Sequence, residues 1–213
     1  IEHVLASFVG MGIDNATVEL GSAEPPVADG SSVIYNDMIR SVGVLEQDRE
    51  RATYTVSRPI YYESGESILT VFPASERRVC CVSGDADGRF TQYFDTKITQ
   101  ESWEKEIALA RTFCFFEELE WLFERGLIKG GSLENAIVIR DDAILTKEPM
   151  RYPNEFVRHK ILDIIGDFAL LGSGFVAHIV AIKPSHAANC ATARLVRKAL
   201  LAGDSVDPNT LKA

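Results

Sequence analysis

Three observations predict an α+β fold. Residues 51–97 hold five short runs of alternating apolar and polar residues, separated by Ser-Gly-Glu and Asp-Gly turns, which is the pattern of consecutive strands. Residues 99–110, 117–125, 156–171 and 187–201 instead carry apolar residues at helical spacing. The opening 50 residues mix the two patterns, so helices and strands are segregated rather than strictly alternating.

Taken in order, Val4, Leu5, Phe8 and Val9 make residues 2–11 a helix that stops at Gly10 and Gly12. Residues 16–20 alternate as a strand. Pro25 and Pro26 with Asp29-Gly30 form a turn-rich loop, and Ser31 or Ser32 can cap a helix running to Arg40. Strands are predicted at 53–56, 60–62, 67–72, 78–82 and 91–94, forming an antiparallel sheet. Thr99 caps a helix to residue 110, residues 117–125 form another, and 136–139 form a strand. Pro153-Asn154 opens the helix of residues 156–171. Residues 175–182 read as a strand and 187–201 as the last helix. From Gly203, with Asp204, Asp207 and Pro208, the chain looks like a frayed tail or linker.

At 213 residues, 46% hydrophobic and 25% charged, the chain has the make-up of a soluble globular protein of one large or two small domains. A net charge of −9 argues against nucleic acid or an anionic membrane surface as the main partner, since both call for clustered Lys and Arg. No apolar run reaches the roughly 20 residues of a membrane span. Cys80, Cys81, Cys114 and Cys190 form no CxxC pair and suit a reducing cytoplasm.

The chemistry concentrates in the helix of residues 156–171. At about 100° per residue, His159, Lys160, Asp163 and Asp167 share one arc, while Ile161, Ile164, Ile165 and Phe168 take another. A histidine and a carboxylate one turn apart can reach a single divalent cation; they are equally an i,i+4 charge pair on a solvated face. Asp167 lies where a second carboxylate can orient an imidazole. Catalytic zinc sites usually keep three protein ligands, an open position for water and a carboxylate base nearby. His3, His159 and Asp163, with Glu2 as base, would complete such a set; otherwise Glu2-His3 is an ordinary helix start. His186 sits at a strand-to-helix junction, where functional side chains are often presented, or is simply a polar residue opening a helix. His178 alternates with Val176 and Val180 and reads as structural.

Several motifs, in order along nearly the whole chain, resemble one family: Ile-Glu-His-Val-Leu with Glu2-His3, Gly12-Ile-Asp-Asn15, Asp29-Gly-Ser31, Ala110-Arg-Thr-Phe113, Gly130-Gly-Ser-Leu-Glu-Asn135, Phe156-Val-Arg-His-Lys-Ile-Leu-Asp163, Gly166-Asp167 and His186. The family is the zinc-dependent UDP-3-O-acyl-N-acetylglucosamine deacetylases, LpxC, of lipid A biosynthesis. The resemblance implies two similar two-layer α/β sandwich domains with helices packed between the sheets. The first would be N-terminally incomplete, because the family's first domain begins well before the Glu-His pair. Residues 1–50 would be its remainder, 51–203 the second domain with a βαβ insertion at about 112–139, and 204–213 a tail or linker.

The resemblance also implies hydrolysis of the 2-acetamido group of UDP-3-O-acyl-N-acetylglucosamine, with release of acetate, by a cytoplasmic monomer. Zn2+ would be held by His3, His159 and Asp163. Glu2 would be the base, His186 the acid or cationic stabiliser oriented by Asp167, and Thr112 the donor to the oxyanion. Lys160 would bind substrate, and Phe113 and Phe115 would flank the sugar-nucleotide. Phe115, Leu119, Leu122, Ile128, Ala136 and Val138 would line an acyl-chain groove or else pack the insertion's own core. One departure is Pro-Ser-His-Ala-Ala at 184–188, where the family usually has Ser-Gly-His-Ala-Leu. The alternatives are a non-catalytic fragment that binds a sugar-nucleotide or acyl chain, and a metal amidohydrolase of other specificity.

Overall fold

Period-two alternation becomes a buried face in the main sheet: Leu69, Val71, Val79, Cys81, Ile179 and Ala181 all point inward and are almost wholly buried. The computed structural model describes residues 1–85, 87–126, 130–172 and 174–211. In chain order the elements are α1 (Glu2–Gly10), α2 (Val33–Val42), β1 (Thr55–Val56), β2 (Ile60–Ser64), β3 (Ser67–Phe72), β4 (Arg78–Ser83) and β5 (Gln92–Lys97). Then come α3 (Gln100–Ser102), β6 (Phe113–Phe115), α4 (Leu119–Glu124), β7 (Ile137–Arg140), β8 (Ala143–Leu145), α5 (Glu155–Phe168), β9 (His178–Ile182), α6 (His186–Leu201) and β10 (Ser205–Val206). The fold is α+β, with three separate sheets among the described residues.

The five-stranded sheet has the order β2-β3-β9-β4-β5. It is not the consecutive antiparallel sheet expected from residues 51–97. β9 enters between β3 and β4, antiparallel to the first and parallel to the second. The reason is burial: β9 supplies Ile179 and Ala181 to the middle of the inner face, where β3 and β4 each present two buried apolar side chains. β6, β7 and β8 form a small sheet of their own, and β1 pairs with β10. The expected frayed tail is therefore partly tied down, with Val206 opposite Thr55 and Asp204 bonded to Arg58.

α5 packs on β4 and β5, α6 packs on β2 and β3, and α1 lies on α5. α5 is consequently buried nearly all round. Of its 14 residues only Arg158 and Lys160 are not buried. Three other expectations shift. Residues 16–20 form no strand, because none of the described residues pairs with them and they lie exposed. The helix capped by Thr99 does form its capping box with Ser102, but changes to a π-helical turn over Trp103–Ile107 and ends there. The helix of 156–171 tightens to a 3-10 turn at Ala169–Leu171.

Candidate active site

Glu2 and His3 open α1, His159, Lys160, Asp163 and Asp167 line α5, and His186 is the first residue of α6. The sequence dictates each position. Ser185 caps α6 by accepting a hydrogen bond from the Ala188 amide at 3.3 Å, so the departure Pro184-Ser185 still starts a helix at His186. Gly166 lets α1 lie directly on α5: a methyl group on it would come within 2.3 Å of the Glu2 carbonyl oxygen. Ser32 Oγ donates to the His3 carbonyl at 3.0 Å and fixes α1 from its other side.

The i,i+4 pair is not a solvated charge pair. His159 is 2% exposed and Asp163 3%, with His159 Nε2 3.4 Å from Asp163 Oδ1. The His3 and His159 rings meet edge to face, with centroids 5.1 Å apart. One donor atom from each of His3, His159 and Asp163 lies within 4.8 Å of the others. Asp163 Oδ1 is buried without a hydrogen-bond donor, while Oδ2 takes one from Lys160 Nζ at 3.1 Å. A buried carboxylate oxygen left unsatisfied is costly, and a cation would satisfy it. Two imidazoles and a carboxylate are the donors that zinc prefers, so these residues fit such an ion.

The protonation states agree with that fit. Burial and the neighbouring His159 push His3 down to about 4, so its ring is neutral at pH 7. Burial likewise lowers His159. Its Nδ1 lies 3.0 Å from the Ala110 carbonyl. A carbonyl only accepts, so Nδ1 carries the proton and Nε2 turns its lone pair toward Asp163. Burial opposes the Asp163 charge, but His159, Lys160, His186 and His3 outweigh it and hold the carboxyl well below its usual range.

Opposite this trio, Glu2 Oε1 lies 3.9 Å from His3 Nε2 and 3.9 Å from His186 Nε2. Burial works against the Glu2 charge, yet hydrogen bonding to its own backbone amide and nearby charge, including His186, leave the carboxyl below the ordinary value. His186 behaves oppositely. Its hydrogen bond from Nδ1 to Asp167 Oδ2, 2.9 Å long, raises it to about 9. At neutral pH the site thus sets a carboxylate beside an imidazolium.

Phe113 packs on Phe156 with ring centroids 4.8 Å apart, and Lys160 Nζ sits 5.2 Å from the centre of the Phe113 ring. Thr112 lies two residues beyond the Ala110 carbonyl that holds His159, and its amide bonds the Gly30 carbonyl. The small sheet divides the residues expected to meet the sugar-nucleotide and the acyl chain. Phe113 and Phe115 pair with Ile137 and Ile139 on the face toward α5, whereas Val138 pairs with Cys114 and Leu145 on the other. Leu119 on α4 and Ala136 are half-buried. Ile128 lies outside the described residues.

Sequence reasoning missed three participants: the Ala110 carbonyl, Asn189, whose Nδ2 donates to Asp167 Oδ2 at 2.8 Å, and the buried Arg111–Glu155 pair. Asn189 stands three residues after His186 and Glu155 four before His159, so the same helical arithmetic would have found both.

The family model for UDP-3-O-acyl N-acetylglycosamine deacetylase matches residues 1–198. The chain belongs to this family. It is 41% identical over 202 residues to the UDP-3-O-acyl-N-acetylglucosamine deacetylase of Chlamydia felis, covering 94% of this chain and 72% of that protein. Against the enzyme of the same name from Chlamydia muridarum it is 40% identical over 204 residues, covering 94% and 71%. The deacetylase family therefore spans every element that carries the site, from α1 through most of α6. Among the described residues no helix is long and apolar enough to cross a membrane.

Proposed function

We propose that this chain is a zinc-dependent deacetylase that hydrolyses the 2-acetamido group of UDP-3-O-acyl-N-acetylglucosamine, releasing acetate, in lipid A biosynthesis. Family membership supports the substrate class. The observation that carries the chemistry is Glu2 Oε1, which lies 3.9 Å from His186 Nε2 beside a buried three-donor set. His3, His159 and Asp163 would hold Zn2+, which when bound supplies Lewis acidity at the amide carbonyl. Glu2 accepts a proton from the attacking water. His186 delivers its Nε2 proton to the nitrogen as the C–N bond breaks, and Asp167 steadies the imidazolium from Nδ1. Thr112 offers its hydroxyl to the developing oxyanion.

In the same reading Lys160 binds the sugar, Phe113 and Phe115 flank the sugar-nucleotide, and Leu119, Ile128, Ala136 and Val138 line the path of the acyl chain. Residues 1–50 belong to one α/β sandwich domain and 51–203 to a second, and the protein acts as a cytoplasmic monomer. The test is to load the purified chain with Zn2+ and measure metal stoichiometry and acetate release from UDP-3-O-acyl-N-acetylglucosamine together. One zinc per chain with acetate release is expected. Stoichiometric zinc without acetate would overturn the assignment.

A further inference from the structure

Residues 110–112 run as irregular backbone between the π-helical turn and β6, yet they lie in the interior against α5. Buried irregular backbone needs partners for its polar groups, and here side chains supply several of them. The Leu109 carbonyl accepts from Arg151 Nη1 at 3.0 Å and the Ala110 carbonyl faces His159 Nδ1. The Arg111 amide donates to Glu155 Oε1 at 3.0 Å. The Thr112 amide and carbonyl bond Gly30 and Ile137.

At the centre is an ion pair, Arg111 at 3% exposure and Glu155 at 0%. Arg111 Nε and Nη2 grip the two Glu155 oxygens at 2.9 and 3.2 Å. The remaining guanidinium hydrogens reach Thr146, Glu148 and Pro149. Glu155 also accepts the Arg151 amide at 2.7 Å, and the Arg151 side chain continues to Asp29 at 2.9 Å. All five donors of Arg111 are used, and the two Glu155 oxygens accept four bonds.

Replacing a buried ion pair by apolar residues is often neutral or stabilising, so stability alone is a weak account of such a pair. Position accounts for it better. Glu155 stands one helical turn before His159, and Arg111 stands between Ala110 and Thr112. The pair therefore ties the segment carrying the Ala110 carbonyl and Thr112 to the helix carrying His159 and Asp163.

We propose that Arg111 and Glu155 are positioning residues: they hold the Ala110 carbonyl on His159 Nδ1, fixing the imidazole tautomer, and anchor the backbone that carries Thr112. This rests on the zinc deacetylase reading for its catalytic meaning, although the tautomer lock stands apart from turnover. Partners of this kind typically govern metal affinity by 10- to 100-fold.

The experiment compares Arg111→Met and Arg111→Lys with the unsubstituted protein. In the metal-free state at neutral pH, long-range proton–nitrogen NMR should find His159 as the pure Nδ1–H form. Arg111→Met should give a mixture of tautomers and weaken Zn2+ binding about tenfold or more, with Arg111→Lys intermediate because it keeps the charge and loses the fork. Folded variants with an unchanged His159 tautomer and unchanged Zn2+ affinity would overturn the proposal. Should neither variant fold, amide exchange in the unsubstituted protein decides. The Arg111 and Thr112 amides should then exchange as slowly as those of the core strands, and exchange by local opening refutes the clamp. Acetate release enters none of these readouts, so their failure is distinct from failure of the deacetylase reading.

Discussion

Gly166 touches Glu2 backbone to backbone: a side-chain carbon on the glycine would lie 2.3 Å from the Glu2 carbonyl oxygen and 2.8 Å from its carbonyl carbon. The contact sets how far α1, with both Glu2 and His3, stands from His159 and Asp163 on α5. Gly166→Ala should lift α1 and cost about 1–3 kcal/mol of stability, the usual range for overpacking. Zn2+ affinity should fall with it. Denaturation and metal titration of the variant check this, and wild-type affinity in a destabilised variant would show that α1 does not set the site.

Asp167→Asn should return His186 from about 9 toward the ordinary histidine value of 6.5, because the hydrogen bond to the carboxylate is the main upward influence. A raised histidine stabilises the fold fully below pH 6.5 and loses that contribution as pH rises through about 9. The basic limb of the turnover profile should move to lower pH in the variant. NMR titration of the His186 ring proton measures the shift directly, and an unmoved titration curve would remove Asp167 from the mechanism.

Glu2→Ala should lower turnover by roughly 10²- to 10⁴-fold, the span of general-base contributions, while leaving metal stoichiometry intact. The reverse result, lost zinc with retained turnover per bound metal, would make Glu2 a ligand and not a base. The two outcomes separate in one preparation analysed for zinc content and acetate release.

Glu155 gives the fold an acid dependence. Burial alone would raise its carboxyl, but hydrogen bonds from the Arg111 side chain and amide and from the Arg151 amide hold it below the ordinary 4.5. Its contribution is present above pH 4.5 and is lost as pH falls through the lower, folded-state value. Glu155→Gln leaves Arg111 buried without its counter-charge and should cost about 3 kcal/mol at neutral pH. Its stability should also vary less with pH on the acid side. Urea denaturation at several pH values tests this, and parallel pH curves for both proteins would contradict it.

Much of the site was legible because helices repeat. His159, Asp163 and Asp167 sit one turn apart, and burial of that arc under α1 excludes the solvated-face reading that spacing alone left open. What periodicity cannot register is pairing between distant segments. The alternation of residues 67–72 and 78–82 is the same whether those strands adjoin or receive β9 between them. The residues 16–20 failed for the opposite reason: alternation promised a strand and no partner accepted it. Backbone groups such as the Ala110 carbonyl have no sequence signature, so the partner that selects the His159 tautomer was invisible until α5 and residues 110–112 were seen together.

The insertion of β9 has a consequence for biosynthesis. β5 ends at Lys97 and β9 begins at His178, so a chain emerging from its N-terminus must hold β3 and β4 apart, or pair them wrongly, until the whole of α5 and then β9 have been made. His186 follows β9 directly. The strand that completes the sheet therefore leads straight into His186, and the candidate site cannot assemble before the gap in the sheet has been filled.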